Sequence, residues 1–338
     1  MDNAMSSSPL LSIVVPVYNE EKTLPLFLQT IRPVLESITA SYEIIFAMDP
    51  STDSTEEIIS AAHQEDGRIK LLRFSRRFGQ PAATWAGLHY ASGQSVIPID
   101  CDLQDPPELI PEMVRIWREE GCKVVIPQRE SREGENILKK IVAYAGYWFI
   151  NKTASVNIPR NTGDFRLLDR LVVDTLMRLN ESHGFLRGLT SLVGFKTHLL
   201  PFARKPRSAG EGKYNRLTGS LKIGFNGIVA FSDFLLNAIS IFGLFMSACS
   251  IILALLFISA KLMGWWYFAA FATGIATLVV IMLFISGMQF LAIGIMGAYI
   301  SRIYDEVKLR PKFIVERSLG FESGCRHKKE YRYERQSS

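Results

Sequence analysis

Acidic residues at the end of a short apolar run are the first feature of this sequence that suggests chemistry. Directly after the run 95–99, which reads as a buried strand, comes Asp100-Cys101-Asp102-Leu103-Gln104-Asp105. Side chains two residues apart in a strand point to the same face, and a turn towards Pro107 would bring the two carboxylates close enough to share a ligand. Such hard oxygen ligands suit Mg²⁺ or Mn²⁺, which share their shell with substrate phosphates. An acidic turn that only caps a helix at 108–119 is the alternative.

A second set of polar residues follows the first two apolar runs of the chain. The first run leads into Pro16-Val17-Tyr18-Asn19-Glu20-Glu21, and the second is followed by Asp49 and Asp53. A ring, an amide and carboxylates on adjacent strand ends can stack a base and hydrogen-bond a ribose. The sequence contains neither Gly-x-Gly-x-x-Gly after the first run nor Gly-x-x-x-x-Gly-Lys-Ser/Thr, which disfavours a Rossmann dehydrogenase and a P-loop ATPase. A nucleotide whose pyrophosphate is held by a metal remains.

Alternating strands and helices must position these residues. Apolar runs typical of buried strands lie at 11–17, 42–47, 69–74, 95–99 and 124–126. Helical spacing of apolar residues lies between them at 21–38, 55–63, 80–91 and 108–119. The alternation predicts crossover connections and a largely parallel α/β sheet. In such sheets ligands bind beyond the carboxyl ends of the strands, where the polar residues above fall.

The last third of the chain is far more apolar than the rest. Of 338 residues 48% are hydrophobic and 21% charged, yet Lys261 is the only charge from 234 to 301. The 27 uncharged positions at 234–260 exceed the roughly 30 Å hydrocarbon core at about 1.5 Å per residue. The 35 uncharged positions at 267–301 predict one further span with an interfacial continuation. Residues 215–231 predict an amphipathic helix on a membrane surface, with a soluble core helix as the alternative.

Basic residues flank this apolar region on both sides. Six Lys or Arg occur in 201–233 and ten in the tail from Arg302, whereas the loop between the predicted spans has only Lys261. The positive-inside rule therefore predicts a multi-pass protein of the inner (plasma) membrane, with the large domain and both termini cytoplasmic. The net charge of +5 is too small and dispersed to indicate nucleic-acid binding. The four scattered cysteines predict reduced thiols.

Four strings, in this order, carry a resemblance to a known family. They are Ile13–Glu21, Phe78-Gly79-Gln80, Asp100–Glu108 and Gly163-Asp164-Phe165-Arg166-Leu167. With them the chain resembles the polyprenyl-phosphate glycosyltransferases, which are relatives of dolichol-phosphate mannosyltransferase among the family-2 inverting GT-A enzymes. Within that family the chain resembles the bacterial undecaprenyl-phosphate glucosyltransferase type. The resemblance covers nearly the whole chain and implies a GT-A fold, with a Rossmann-like, mostly parallel sheet and two C-terminal transmembrane helices.

The resemblance also implies a reaction. A hexose would move from a nucleotide-sugar, UDP-glucose as the best guess, to undecaprenyl or another polyprenyl phosphate, with Mg²⁺ or Mn²⁺ as cofactor. The alternatives are another donor (GDP-mannose, UDP-GlcNAc or a UDP-aminoarabinose type) and a non-catalytic membrane scaffold with a vestigial GT-A domain. A processive polysaccharide synthase would need a Gln-x-x-Arg-Trp motif and more spans, which this sequence lacks. Whether the chain forms a homo-oligomer stays open.

Site residues follow from the resemblance one by one. The nucleotide-sugar is assigned to Pro16, Tyr18, Glu20, Asp49, Gln80 and Asp100. The metal is assigned to Asp102 and Gln104, and the acceptor phosphate to Arg129, Arg132 and Lys139. The catalytic set is Asp102, Asp164, Arg129 and Arg132, with Asp164 near the transferred sugar. Met48-Asp49-Pro50-Ser51 departs from the family's Asp-Asp-Gly-Ser, so only Asp49 keeps a carboxylate there.

The chemistry of a phosphate acceptor agrees with the basic residues. A phosphate monoester has a second pKa of about 6 and is largely dianionic at neutral pH, so cations matter more than a strong base. Arginine's planar fork fits phosphate oxygens, although a solvated surface is the alternative for these side chains. The predicted organisation is a cytoplasmic GT-A catalytic domain at 10–200, a basic loop and interfacial helix at 201–232, a two-helix transmembrane region at 233–303 and a cytoplasmic tail at 304–338.

Overall fold

A computed structural model describes the greater part of the chain. The residues described are 8–129, 159, 161–179, 186–202, 275–308 and 310–321, with single residues and short pieces between 236 and 263. The chain divides into two compact units, one made of 1–140, 158–215 and 310–338 and the other of 141–157 and 216–309. The predicted interfacial helix at 215–231 lies outside the described residues, as do Arg132 and Lys139.

One mixed sheet organises the first unit. Among the described residues its strands are β1 (Leu11–Val17), β2 (Tyr42–Met48), β3 (Ile69–Phe74), β4 (Ser95–Pro98), β5 (Val124–Arg129), β6 (Leu167–Asp169), β7 (Thr197–Phe202) and β8 (Val315–Leu319). Their order across the sheet is β7-β5-β6-β4-β1-β2-β3-β8. The central strands β3, β2, β1 and β4 are parallel, and β5 pairs in parallel with β7. β6 is antiparallel to both β4 and β5, and β8 is antiparallel to β3.

The five predicted strands are all present, with ends that shift by at most three residues. The sheet contains more antiparallel pairing than predicted, because the antiparallel strands β6 and β8 were not predicted; the parallel strand β7 was not predicted either. β6 has three residues, too few for a recognisable pattern. β7 is largely exposed, and β8 carries Glu316 and Arg317 within the segment predicted to be a tail. The GT-A type of α/β fold is confirmed, but with a mixed sheet.

Helices cover both faces of this sheet. They are α1 (Leu24–Ile38), α2 (Thr55–Glu65), α3 (Gln80–Tyr90), α4 (Ile110–Glu119), α5 (Arg170–Arg178) and α6 (Leu186–Leu192). Helices α1, α2 and α4 share one apolar core with β1 and β2, whereas α3 packs on the opposite face of β1. A Cβ atom at Gly87 of α3 would lie 2.1 Å from Cγ1 of Val14, so glycine permits this close approach. Because β1 and β2 are buried on both faces, they appear in the sequence as nearly continuous apolar runs, interrupted by Ser12 and Glu43.

The second unit contains the helix α7 (Ile275–Val307). Among the described residues one helical segment is long and apolar enough to cross a membrane, namely Phe284–Val307, with a mean hydropathy of 1.5. The other predicted span, 234–260, falls largely outside the described residues, although the piece 239–246 is helical. Two transmembrane helices therefore remain a prediction.

Candidate active site

The topology brings the predicted site residues to one edge of the sheet. Because β1, β2, β4 and β5 run in the same direction, their carboxyl ends share that edge, and the antiparallel β6 begins there. At or near this edge lie Tyr18, Glu20, Asp49, Asp100, Asp102, Gln104, Arg129 and Asp164, with Gln80 opening α3. Pro16 is inside β1, opposite Ala47 of β2. The ligand-binding edge of a parallel α/β sheet thus holds the chemistry-bearing residues.

The loop after β4 gathers carboxylates. Leu103 has a positive φ of 55°, and this turn places the Gln104 N–H 3.0 Å from Oδ1 of Asp102, to which it donates. Nε2 of Gln80 donates to Oδ1 of Asp100 over 2.8 Å. Hydrogen bonds therefore stabilise the loop internally and connect it to the start of α3.

These carboxylates repel one another. Burial, followed by the negative charges of Asp105, Asp102 and Asp164, raises the pKa of Asp100 to about 7. A bound cation would relieve this repulsion, and oxygen donors of this kind fit a hard divalent ion. The residues present therefore fit the metal that the sequence predicts.

One carboxylate of this loop has an arginine partner. Nη2 of Arg129 lies 3.1 Å from Oδ1 of Asp105, which is almost fully buried. Gly163 leaves room for this guanidinium, because a Cβ atom there would lie 3.0 Å from Arg129 Nη2. The end of β5 is thus joined to the loop after β4 and to the chain that leads into β6.

Asp164 is held by a second arginine. Nε of Arg187, on α6, donates to Oδ1 of Asp164 over 2.9 Å. Burial alone would raise the pKa of Asp164, but attraction and hydrogen bonding from Arg187, with the charges of Arg166 and Arg129, keep that pKa below its ordinary value. Asp164 is therefore ionised at neutral pH, which makes it a hydrogen-bond acceptor and a weak base.

Beneath Asp164 lies a buried arginine. Arg166 is 1% exposed, and its Nη2 donates to the backbone carbonyl of Gly163. Burial lowers the pKa of Arg166 to about 10, so its guanidinium stays charged at neutral pH. It adds a fixed positive charge under the 163–164 backbone.

Polar side chains tie together the loops after β1 and β2. Asn19, with a φ of 54°, accepts at Oδ1 from the backbone N–H of Thr52 over 2.9 Å. Oε2 of Glu20 accepts from the Thr23 hydroxyl over 2.6 Å. Tyr18 carries the guanidinium of Arg77, from the loop after β3, 4.1 Å above its ring centre. The loop after β1 therefore presents the aromatic ring of Tyr18 beside the guanidinium of Arg77.

Asp49 is occupied by backbone groups. It is 3% exposed, and its two carboxylate oxygens accept the N–H groups of Phe78 and Gly79, each over 2.9 Å. Gly79 has a φ of 91°, a conformation that favours glycine, and it directly precedes α3. In this structure Asp49 holds the loop between β3 and α3, and its contact with a nucleotide stays a prediction.

Asp105, Arg166, Arg77 and Arg187 lie in the site, although none of them was predicted to have a role there. Asp105 lies within the acidic string, so its type and position were visible. Arg77 lies in a segment without a chemical motif, and Arg187 opens an Arg-Gly-Leu string that occurs in the family but was given no role; the two residues reach Tyr18 and Asp164 only through the fold. No spacing along the chain could have identified them.

Known proteins resemble this chain over most of its length. The model for Glycosyl transferase family 2 matches residues 12–177. The uncharacterized glycosyltransferase YkcC of Bacillus subtilis (strain 168) is 42% identical over 319 residues, 94% of this chain and 97% of that protein. The bactoprenol glucosyl transferase of Shigella phage SfII is 39% identical over 308 residues, 91% of this chain and 98% of that protein. A solved structure, glucosyl-3-phosphoglycerate synthase from Mycobacterium tuberculosis, is 18% identical over 65% of this chain and 76% of that one, with a TM-score of 0.47. With relatives this similar along nearly their whole length, the chain belongs to glycosyl transferase family 2 and is a glycosyltransferase.

Proposed function

We propose that this enzyme transfers a hexose from a nucleotide-sugar to a polyprenyl phosphate, with UDP-glucose as the donor and undecaprenyl phosphate as the acceptor. The observation that carries the proposal is that two carboxylates at one sheet edge, Asp105 after β4 and Asp164 before β6, are paired with arginines, Arg129 and Arg187 respectively, beside the acidic loop of Asp100. The carboxylates would hold a metal that in turn binds the diphosphate of the donor, while the arginines would bind a second anion. The similarity to bactoprenol glucosyl transferases over 91% of the chain supports this choice of acceptor and donor.

The donor side is built from the loops after β1 and β4. Asp102 and Gln104 would hold the metal, with Asp100 beside them. When bound, Mg²⁺ or Mn²⁺ neutralises the charge that develops on the departing nucleoside diphosphate. The Tyr18 ring offers a stacking surface for the base, and Gln80 orients Asp100 through their 2.8 Å hydrogen bond.

The acceptor side needs cations more than a base. A phosphate oxygen of the acceptor attacks the anomeric carbon of the sugar, and the bond from that carbon to the diphosphate breaks with its electron pair leaving on the nucleoside diphosphate. The anomeric configuration is inverted. Because the acceptor is already dianionic at neutral pH, no proton has to be removed. The low pKa of Asp164 agrees with this, since Asp164 would accept a hydrogen bond from a sugar hydroxyl.

The proposed enzyme is a two-span protein of the plasma membrane with both termini in the cytoplasm. β7 ends at Phe202 and β8 begins at Val315, and both belong to one sheet, so these residues lie on the same side of a membrane. If α7 crosses the bilayer, a second crossing must lie between β7 and α7. The uncharged run 234–260 supplies it, and the basic flanks orient the pair.

The test uses the full chain in detergent with undecaprenyl phosphate and radiolabelled UDP-glucose. Label should enter the lipid phase, and excess EDTA or Asp102→Ala should abolish this transfer. Asp174→Ala, which changes a partly exposed acid on α5, is the matched control and should retain activity. If no lipid-linked product forms with UDP-glucose, GDP-mannose or UDP-GlcNAc, the proposed function is wrong.

A further inference from the structure

Three arginines from separate parts of the chain converge on two consecutive residues, Gly163 and Asp164. Arg129 comes from the end of β5, and its Nη2 would lie 3.0 Å from a Cβ atom at Gly163. Arg166 donates to the Gly163 carbonyl from below, and Arg187 of α6 donates to Asp164. All three guanidinium groups also contribute to the low pKa of Asp164. Such a concentration of like charge is costly unless anions balance it.

Two of these three arginines have a carboxylate in direct contact. Asp105 pairs with Arg129 and Asp164 pairs with Arg187, which leaves the buried guanidinium of Arg166 with a backbone carbonyl alone among the described residues. In addition, the Nε–H groups of Arg129 and Arg166 are buried and have no acceptor within the part of the chain that the structure describes. Arg166 stays charged at neutral pH, so an anion that reaches this cluster meets guanidinium groups whose hydrogen bonding is incomplete.

The cluster can be reached from solvent. The side chain of Arg187 is 30% exposed and that of Asp164 is 43% exposed, whereas Arg166 is almost completely enclosed. An incoming anion can therefore meet Arg187 at the surface of the site while Arg166 supplies a charge from within. A phosphate monoester suits this arrangement, because arginine forks bind phosphate oxygens in pairs.

We propose that Arg187, together with Arg129, binds the phosphate group of the acceptor, and that the carboxylate of Asp164 occupies Arg187 when the acceptor is absent. The identity of that acceptor rests on the proposed function, but the phosphate site itself does not. The phosphate takes over part of the arginine hydrogen bonding, which releases Asp164 towards the sugar. Arg187 is thus a substrate-binding residue to which neither its sequence position nor the comparisons assign a role.

The first experiment separates acceptor from donor kinetically. Farnesyl phosphate serves as the acceptor and UDP-glucose as the donor for the full chain and for Arg187→Ala. The KM for farnesyl phosphate should rise at least about tenfold, as expected for one lost hydrogen bond to a charged group, while the donor KM stays within about twofold. Arg178→Ala, at an exposed position at the end of α5, removes the same charge and should change neither constant. Arg187→Lys keeps the charge without the fork and should fall between Arg187→Ala and the unmodified enzyme.

A binding experiment without turnover tests the site independently of the reaction. Farnesyl phosphate and UDP with Mn²⁺ are titrated separately into the unmodified chain and Arg187→Ala, with farnesol as the ligand that lacks the phosphate. Weaker farnesyl phosphate binding, with unchanged UDP and farnesol binding, supports the proposal even if no lipid-linked sugar is ever formed. Equal farnesyl phosphate binding in both proteins, or a matching loss of UDP binding, overturns it. If Arg187→Ala does not fold, the same comparison is made with Arg187→Lys, and unchanged binding of farnesyl phosphate by that variant overturns the proposal.

Discussion

Replacing Asp49 tests whether this residue acts on the nucleotide directly or through the loop before α3. Its two carboxylate oxygens accept the N–H groups of Phe78 and Gly79 at 2.9 Å each, and its side chain is buried. Hydrogen bonds to a charged group contribute about 1.5–3 kcal/mol each, so removing both in Asp49→Ala should cost about 3–6 kcal/mol. Water reaching the loop would bring the cost towards the lower figure.

Asp49→Asn is the sharper variant because it keeps the shape of the side chain. The amide oxygen can accept one of the two N–H groups, while the amide nitrogen meets the other as donor against donor. We expect a loss of about 2–3 kcal/mol and, for a domain of this size, a fall in Tm of roughly 4–12 °C. The loop also presents Gln80 to Asp100, so transfer activity should fall with it.

The assays are thermal unfolding and donor kinetics on Asp49→Asn, Gln80→Ala and the double variant. If Asp49 acts through the loop, the two losses of activity will be less than additive, because Gln80→Ala already removes the contact that the loop supports. Asp174→Asn, at a partly exposed ion pair, controls for the charge change. An unchanged Tm in Asp49→Asn, with a raised KM for the donor, would refute the reasoning and indicate that Asp49 contacts the nucleotide directly.

Two further predictions concern stability. Gly87→Ala should lower the free energy of unfolding by about 1–3 kcal/mol, because its Cβ atom would lie 2.1 Å from Val14 Cγ1; Gly67→Ala, with open space around it, is the control in thermal unfolding. Burial pushes the pKa of Glu43 up, but hydrogen bonds led by that from Lys70 outweigh it, so the folded pKa lies below the ordinary 4.5. The stabilisation by ionised Glu43 is therefore present above pH 4.5 and lost as the pH falls through the folded pKa. Denaturant titrations of Glu43→Gln should show about 3 kcal/mol less stability at pH 7 and a smaller loss of unfolding free energy as the pH is lowered.

The central strands and the acidic loop could be predicted because their sequence patterns follow from local physics. β1 and β2 are buried on both faces, so their residues are apolar except for Ser12 and Glu43. Asp100 and Asp102 follow such a run directly, so their place at the sheet edge follows from the strand. Residues whose position depends on the chain immediately before them are within reach of sequence reasoning.

Residues whose role depends on distant partners were not within reach. Asp49 follows a strand as predicted, yet its oxygens face amides about thirty residues away, which no pattern indicates. Arg187 reaches Asp164 from a short helix whose placement requires the whole fold. β8 is an exposed edge strand with charged residues, so only its pairing with β3 identifies it.

The position of β8 in the sequence also determines when the sheet can be completed during synthesis. β3 is complete at Phe74, but its outer neighbour begins at Val315, roughly 240 residues later, after α7. At synthesis rates of 5–20 residues per second, the outer edge of β3 would wait roughly 12–50 seconds for its partner. Throughout that interval the hydrophobic segments are being made while a row of backbone donors and acceptors on β3 stays open to pairing with other strands. The catalytic sheet is therefore closed last, and a chain interrupted within its apolar region would retain the β3 edge as a site for aggregation.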